Sequence, residues 1–119
     1  MKLIYLATPY SHDDPRVRTY RFDVASRVAA HLVKNQVLVY SPITIGHVLW
    51  MYENELPTDE KFWREYNYRM MLSCNELWIL QLEGWHKSKG VKEEIRMANE
   101  LELRVRYIPI VERKEDARI

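Results

Sequence analysis

The sequence predicts an α/β fold, a flavodoxin-like or Rossmann-like three-layer sandwich around a small parallel sheet of about four strands. Short apolar runs rich in branched and aromatic residues alternate with longer segments whose apolar residues recur at helical spacing. Clusters of Pro, Gly, Ser, Asn and Asp punctuate the alternation. A strand–helix alternation of this kind implies parallel strands joined by right-handed crossovers, with helices covering both faces of the sheet.

The elements follow in order. Residues 2–7 (KLIYLA) read as a short buried strand, and residues 8–15 (TPYSHDDP) as a loop dense in breakers. Asp14 is the expected N-cap of the next helix, with Pro15 in its first turn. Val17, Tyr20, Val24, Val28 and Leu32 then recur at helical spacing, and Asn35 supplies a stop. Residues 37–41 (VLVYS) form the second strand, ended by Pro42; residues 45–52 read as a short helix rich in aromatics. The Pro57-Thr58 pair breaks the chain, with Thr58 as N-cap of a helix to about Ser73. Residues 76–82 (ELWILQL) form the third strand and residues 83–87 a loop. Ser88 caps a helix reaching about Leu103, and residues 105–111 (VRYIPIV) make a fourth strand. Pro109 points to an edge or late position for that strand.

The bulk numbers narrow the function. A chain of 119 residues fits a single domain over residues 1–119, and 47% apolar residues suits a globular protein. Lys plus Arg is 18 against 17 for Asp plus Glu, a net charge of +1, so the basic excess of a nucleic-acid binder is missing and no polymer partner is expected. The lone Cys74 cannot form an internal disulfide and reads as a packed thiol in a reducing, cytoplasmic setting. No stretch approaches the roughly 18 apolar residues of a membrane span. The first apolar run, broken by Thr8 and Pro9, is too short for a signal peptide. The charged residues 112–118 read as a solvated end. The histidines show no metal-ligand spacing, and GxGxxG, P-loop and GxSxG motifs do not occur, so neither metal nor organic cofactor is expected.

Ligands of such folds bind beyond the carboxyl ends of the strands, which brings the loops at residues 8–15, 41–47 and 83–90 to one edge. In the helix after Ser88 each residue turns roughly 100°. Val91, Ile95, Ala98 and Leu101 share its core face, Glu94 falls within that stripe, and Glu93 turns toward water. A carboxylate among core-facing residues is costly unless it has partners or lines a cavity. Glu94 therefore either faces a cavity at the strand ends or bends outward to Arg96 or Lys92. Ser88, Lys89 and Gly90 either hold a phosphate at the helix N-terminus or serve only as cap and tight turn. His47, after the second strand, is either a ligand contact or a structural histidine. Trp50, Tyr52, Trp63, Tyr66 and Tyr68 either wall a base-binding pocket or form an oligomer interface.

Three segments, YLATPYS (residues 5–11), SPITIGH (residues 41–47) and CNELWILQLEGWHKSKGVKEEIRMA (residues 74–98), resemble nucleoside 2-deoxyribosyltransferase-like proteins, including short members that are domains of unknown function. The shared GW-x-x-S-x-G-x-x-x-E pattern falls on Gly84, Trp85, Ser88, Gly90 and Glu94. The resemblance implies a flavodoxin-like fold and chemistry at the anomeric carbon of a (deoxy)nucleoside or its 5′-monophosphate, without a cofactor. It implies a homo-oligomer, a dimer or higher, whose sites are often completed by a neighbouring subunit. Glu94 would be the nucleophile, Ser88 would contact phosphate, and Tyr5 matches the tyrosine near the end of the first strand. Thr8, Pro9, Tyr10, Ser41, Pro42, His47, Gly84, Trp85 and Gly90 would complete the substrate site. One departure stands out: active members carry an aspartate ahead of the third strand, where this chain has Asn67. An amide can orient a sugar hydroxyl but cannot act as acid or base. Either another group, with Asp59 as a candidate, supplies the proton, or the domain binds a nucleotide without turning it over.

Overall fold

The computed structural model describes residues 1–112, so most of the charged tail lies outside the described residues. Strands β1 (Leu3–Ala7), β2 (Leu38–Tyr40), β3 (Glu76–Gln81) and β4 (Arg104–Pro109) form one sheet in the order β2-β1-β3-β4. Every neighbouring pair is parallel. Helices α1 (Pro15–Lys34), α2 (Pro42–Tyr52), α3 (Glu60–Met71) and α4 (Lys89–Glu100) fill the connections. The fold is the three-layer α/β sandwich that the alternation predicts.

The two-residue period of a strand explains the layers. Tyr5, Ala7, Leu77 and Ile79 turn to one face, where Met71 of α3 and Val91, Met97 and Ala98 of α4 close a buried cluster. Leu6 and Leu80 turn to the other face and meet Val24 and Val28 of α1. Both faces of β1 and β3 are thus covered, which is why these strands read as nearly unbroken apolar runs.

Helix starts follow local chemistry. The Asp14 carboxylate accepts from the Arg16 N–H with Pro15 in the first turn, and Ser88 Oγ accepts from the Val91 N–H at 3.2 Å. Asn35 ends α1. The structure departs from expectation at several boundaries. Pro42 does not merely end a strand; it opens α2, where a fixed φ and a missing N–H carry no penalty. The expected loop at residues 41–47 is therefore mostly helix, and His47 sits on α2. Asp59, rather than Thr58, caps α3 by accepting from the Lys61 N–H at 2.9 Å. Strand β2 has only three residues, α3 stops at Met71 and α4 stops at Glu100. A left-handed Glu102 (φ 58°) then redirects the chain into β4. Strand β4 is an edge strand and Pro109 its last residue.

From β1 the chain passes to β2 on one side and then returns for β3 on the other. The direction of winding switches between β1 and β3, and a crevice opens at such a point beyond the strand ends. Among the described residues, no helix is long and apolar enough to cross a membrane.

Candidate active site

Beyond the carboxyl ends of β1 and β3 lies a cavity of about 1080 Å³. Its wall combines the loop after β1 with the start of α1, much of α2 and the segment that follows it, one side of α3, and α4 from its start to Met97.

Glu94 is on this wall, only 8% exposed. Among the described residues it makes no ion pair, with Lys92 or with Arg96, the two outward partners considered for it; Arg96 instead bonds Glu93 and Glu100. The partner of Glu94 is Tyr5, whose phenol donates to Oε2 at 2.5 Å. Tyr5 is completely buried beneath the cavity rather than lining it. Burial and the adjacent carboxylate hold its phenol well above the ordinary tyrosine range, so it remains a neutral donor. Burial pushes the Glu94 carboxyl up to about 7, against the lowering effect of the Tyr5 hydrogen bond. The group therefore changes protonation near neutrality, as catalytic carboxylates commonly do.

The tyrosine contact extends outward. Tyr40, at the end of β2, sets its ring edge-on to Tyr5 with centroids 5.5 Å apart. Its hydroxyl donates to Asn67 Oδ1 at 3.5 Å, a long contact. Asn67 and Tyr40 both line the cavity, so the amide lies on the same wall as Glu94. Asp59 does not line it; its carboxylate is used at the start of α3.

On the α2 side, His47 lines the cavity with its ring fixed twice. Tyr10 Oη and His47 Nδ1 are 2.8 Å apart, and Phe22 stacks on the imidazole at 4.0 Å between centroids. Burial, and secondarily the Arg18 charge, lower its pKa, favouring the neutral ring at neutral pH. The aromatic middle divides: Trp50, Trp63 and Tyr66 line the cavity, Tyr68 packs on the core, and Tyr52 is 86% exposed.

The remaining sequence candidates sort by position. Thr8, Tyr10, Pro42, Ser88 and Gly90 line the cavity. Pro9 is buried and Ser41 binds Thr44 Oγ1 at 2.8 Å; neither is part of the lining. Trp85 packs against Tyr107 with centroids 5.5 Å apart, outside the cavity. Gly84 also lies outside it and has a backbone reason to be glycine: its φ is 86°, and a Cβ there would sit 3.1 Å from Arg21 Nη2. Sequence reasoning missed Tyr40, Arg18 and Arg64 on the wall. The rule that strand ends face the ligand could have found Tyr40; nothing local marks the two arginines. Among the described residues, no three His, Cys, Asp or Glu side chains come together to hold a metal ion.

Cys74 is a buried core thiol whose pKa burial raises to about 11, and its Sγ donates weakly to the Met70 carbonyl.

Comparison with family models places residues 2–109 under a single description, Domain of unknown function (DUF1937). The chain belongs to the DUF1937 family. The matched DUF1937 span includes all four strands and every candidate site residue, from Tyr5 to Glu94. No curated protein matches the chain.

Proposed function

We propose that this DUF1937 domain cleaves or transfers at the N-glycosidic bond of a (deoxy)nucleoside or its 5′-monophosphate, with Glu94 as nucleophile. The observation that carries the reading is a buried carboxylate on the wall of a large cavity at the sheet's switch point, oriented by a neutral phenol and, among the described residues, in no ion pair. A carboxylate needed only for stability would be paired; this one is left available.

The chemistry follows that of a retaining glycosidase. Ionised Glu94 attacks the anomeric carbon, the bond to the base breaks, and its electron pair leaves with the base. Tyr5 fixes the attacking carboxylate and spreads its charge. Water then releases the sugar, or a second base accepts it. Ser88 and the free N–H groups at the start of α4 suit a phosphate, with Lys89 beside them. The aromatic rings of Trp63 and Tyr66 suit a base. With an amide at position 67, the proton for the departing base comes from water, and His47, a neutral imidazole on the wall, can hydrogen-bond that base.

One observation favours a second reading. Asn67 stands on the wall where proton transfer is needed and cannot perform it, which fits a domain that binds a nucleotide without turnover. Incubation with a panel of nucleosides and 5′-monophosphates, assayed for free base, separates the two. The enzymatic reading expects free base from the wild type and at least a thousandfold loss in Glu94→Gln, on the order of the loss of a nucleophile elsewhere. Stabilisation by a nucleotide without free base supports binding alone.

The same reading carries a second copy of the chain as partner and a cytoplasmic setting. The exposed apolar residues at the end of α2 support the first, and the free buried Cys74 supports the second.

A further inference from the structure

Breaking the bond between a sugar and a neutral base leaves an electron pair on a ring nitrogen, which then needs a proton. A positioned general acid contributes about 10²–10⁴ in rate to a step of this kind. Among the described residues, the cavity wall is poor in groups that can act as one. Position 67 is an amide, whose Oδ1 accepts from the Tyr40 hydroxyl at 3.5 Å. His47, the one imidazole on the wall, lies 2.8 Å from the Tyr10 hydroxyl, and burial favours its neutral form. Burial also holds the phenols of Tyr10 and Tyr40 above the ordinary tyrosine range. Lysine and arginine side chains keep their protons at neutral pH. Asn67 is tied to Glu94 by a chain of contacts: Glu94 to the Tyr5 hydroxyl at 2.5 Å, the Tyr5 ring to the Tyr40 ring at 5.5 Å, and Tyr40 to Asn67.

The same wall holds what a flat cation needs. On α3, Glu60, Trp63 and Asn67 recur three and then four residues apart and so share one face. The rings of Trp63 and Tyr66 stand 5.4 Å apart, and on α2 those of His47 and Trp50 stand 5.8 Å apart. Faces of Trp and Tyr rings attract cations, and the carboxylates of Glu60, Glu93 and Glu94 add negative charge. The cations of the wall have other employment. Arg18 donates to the carbonyls of His12 and Asp13, and the Arg64 charge falls on Glu93. Lys87 and Lys89 flank Ser88, where the reading above places a phosphate.

We infer that the substrate is an N-glycoside whose base already carries a positive charge, a pyridinium or N-alkylated purine nucleotide. This rests on the N-glycosidic reading given above and names the substrate class within it. A Glu94 oxygen bonds to the anomeric carbon as the bond from that carbon to the base breaks. The electron pair neutralises the ring nitrogen, and the base departs neutral with no proton required. Water then takes the sugar from Glu94, which restores the carboxylate and releases one proton to solvent. A neutral base would have to draw its proton from water.

The test uses the full chain at pH 7. Nicotinamide mononucleotide and 7-methylguanosine 5′-monophosphate supply cationic bases; uridine and guanosine 5′-monophosphates supply neutral ones. Free base is measured by chromatography, and each rate is divided by that of spontaneous hydrolysis. The cationic pair should exceed the neutral pair by about a hundredfold or more, and Glu94→Gln should release base from neither. Asn67→Asp, which adds a group able to carry a proton, should raise release from the neutral pair by about tenfold or more, with a rate that falls as pH rises. Equal normalised rates, or faster release from the neutral pair, overturn the cationic class and leave the N-glycosidic reading standing. No release from any of these nucleotides, or release that persists in Glu94→Gln, removes both.

Discussion

At the scale of single residues, Glu94 is a liability that the fold tolerates. Its carboxyl, ordinarily near 4.5, holds its proton up to about 7 in the folded chain. Folding therefore favours the protonated form. The group's contribution is most favourable below about 4.5 and is lost as pH climbs through 7. The difference corresponds to about 3 kcal/mol. Glu94→Gln, which can still accept from Tyr5, removes the titration. Urea unfolding should find it more stable than wild type by about 3 kcal/mol at pH 8, with the gain vanishing near pH 4. A constant difference across that range would mean the carboxyl is not desolvated. Glu94 itself was legible in the sequence because helical spacing put a carboxylate into an apolar stripe. Tyr5 as its partner was not: the contact spans 89 residues, and a tyrosine in a strand looks like any other core residue. Met97 was missed for a related reason, since it shares the buried face but lies between the positions that define the stripe.

At the scale of elements, the loops that carry the site are tied together from behind. Arg21 of α1 donates from Nη1 to the Ser11 carbonyl at 3.1 Å and from Nη2 to the Glu83 carbonyl at 3.0 Å. It bridges the loop after β1 and the loop after β3. Arg21→Met removes both bonds, at a cost of about 1 kcal/mol given partial exposure. Amide exchange should quicken at residues 9–14 and 83–87 while β1 and β3 keep their protection. Uniform protection in the variant would show that the loops hold themselves. Element starts marked by a side-chain cap, at Asp14 and Ser88, were readable from sequence, because one oxygen meets one N–H nearby. The start of α2 was not. Its sequence, PITIGHVLWMY, is apolar almost all round, so it shows no helical period, and its proline fits a strand end as well as a first turn. At the start of α3, Thr58 and Asp59 are both good caps, and only the observed bond to Lys61 separates them.

At the scale of the whole molecule, that same α2 leaves a bare patch. It carries no Asp, Glu, Lys or Arg, and Val48, Leu49, Trp50, Met51 and Tyr52 are exposed along it. A contiguous apolar patch marks an interaction surface, and a two-fold contact lets the same patch cover itself. The absence of cations makes an anionic membrane surface a poor match. Since Trp50 also lines the cavity, a second copy docked on α2 would sit at the mouth of the site. Sedimentation should find a dimer or larger assembly, and Leu49→Glu with Met51→Glu should yield a folded monomer. A wild type that sediments as a monomer at tens of micromolar would remove this part of the account. The architecture itself was legible throughout, because alternating strand and helix patterns permit few arrangements. Closure of the site by a second copy would be a property of two chains and would leave no signature in the spacing of one.

The central claim is that Glu94 forms a bond to a sugar carbon. The direct measurement is to mix protein with the most rapidly cleaved member of the nucleotide panel, quench within one turnover, and map the protein by peptide mass spectrometry. The account predicts a glycosyl adduct on the peptide containing Glu94, formed as base is released and absent in Glu94→Gln. Base release at the wild-type rate by Glu94→Gln, or an adduct on any other residue, would contradict it.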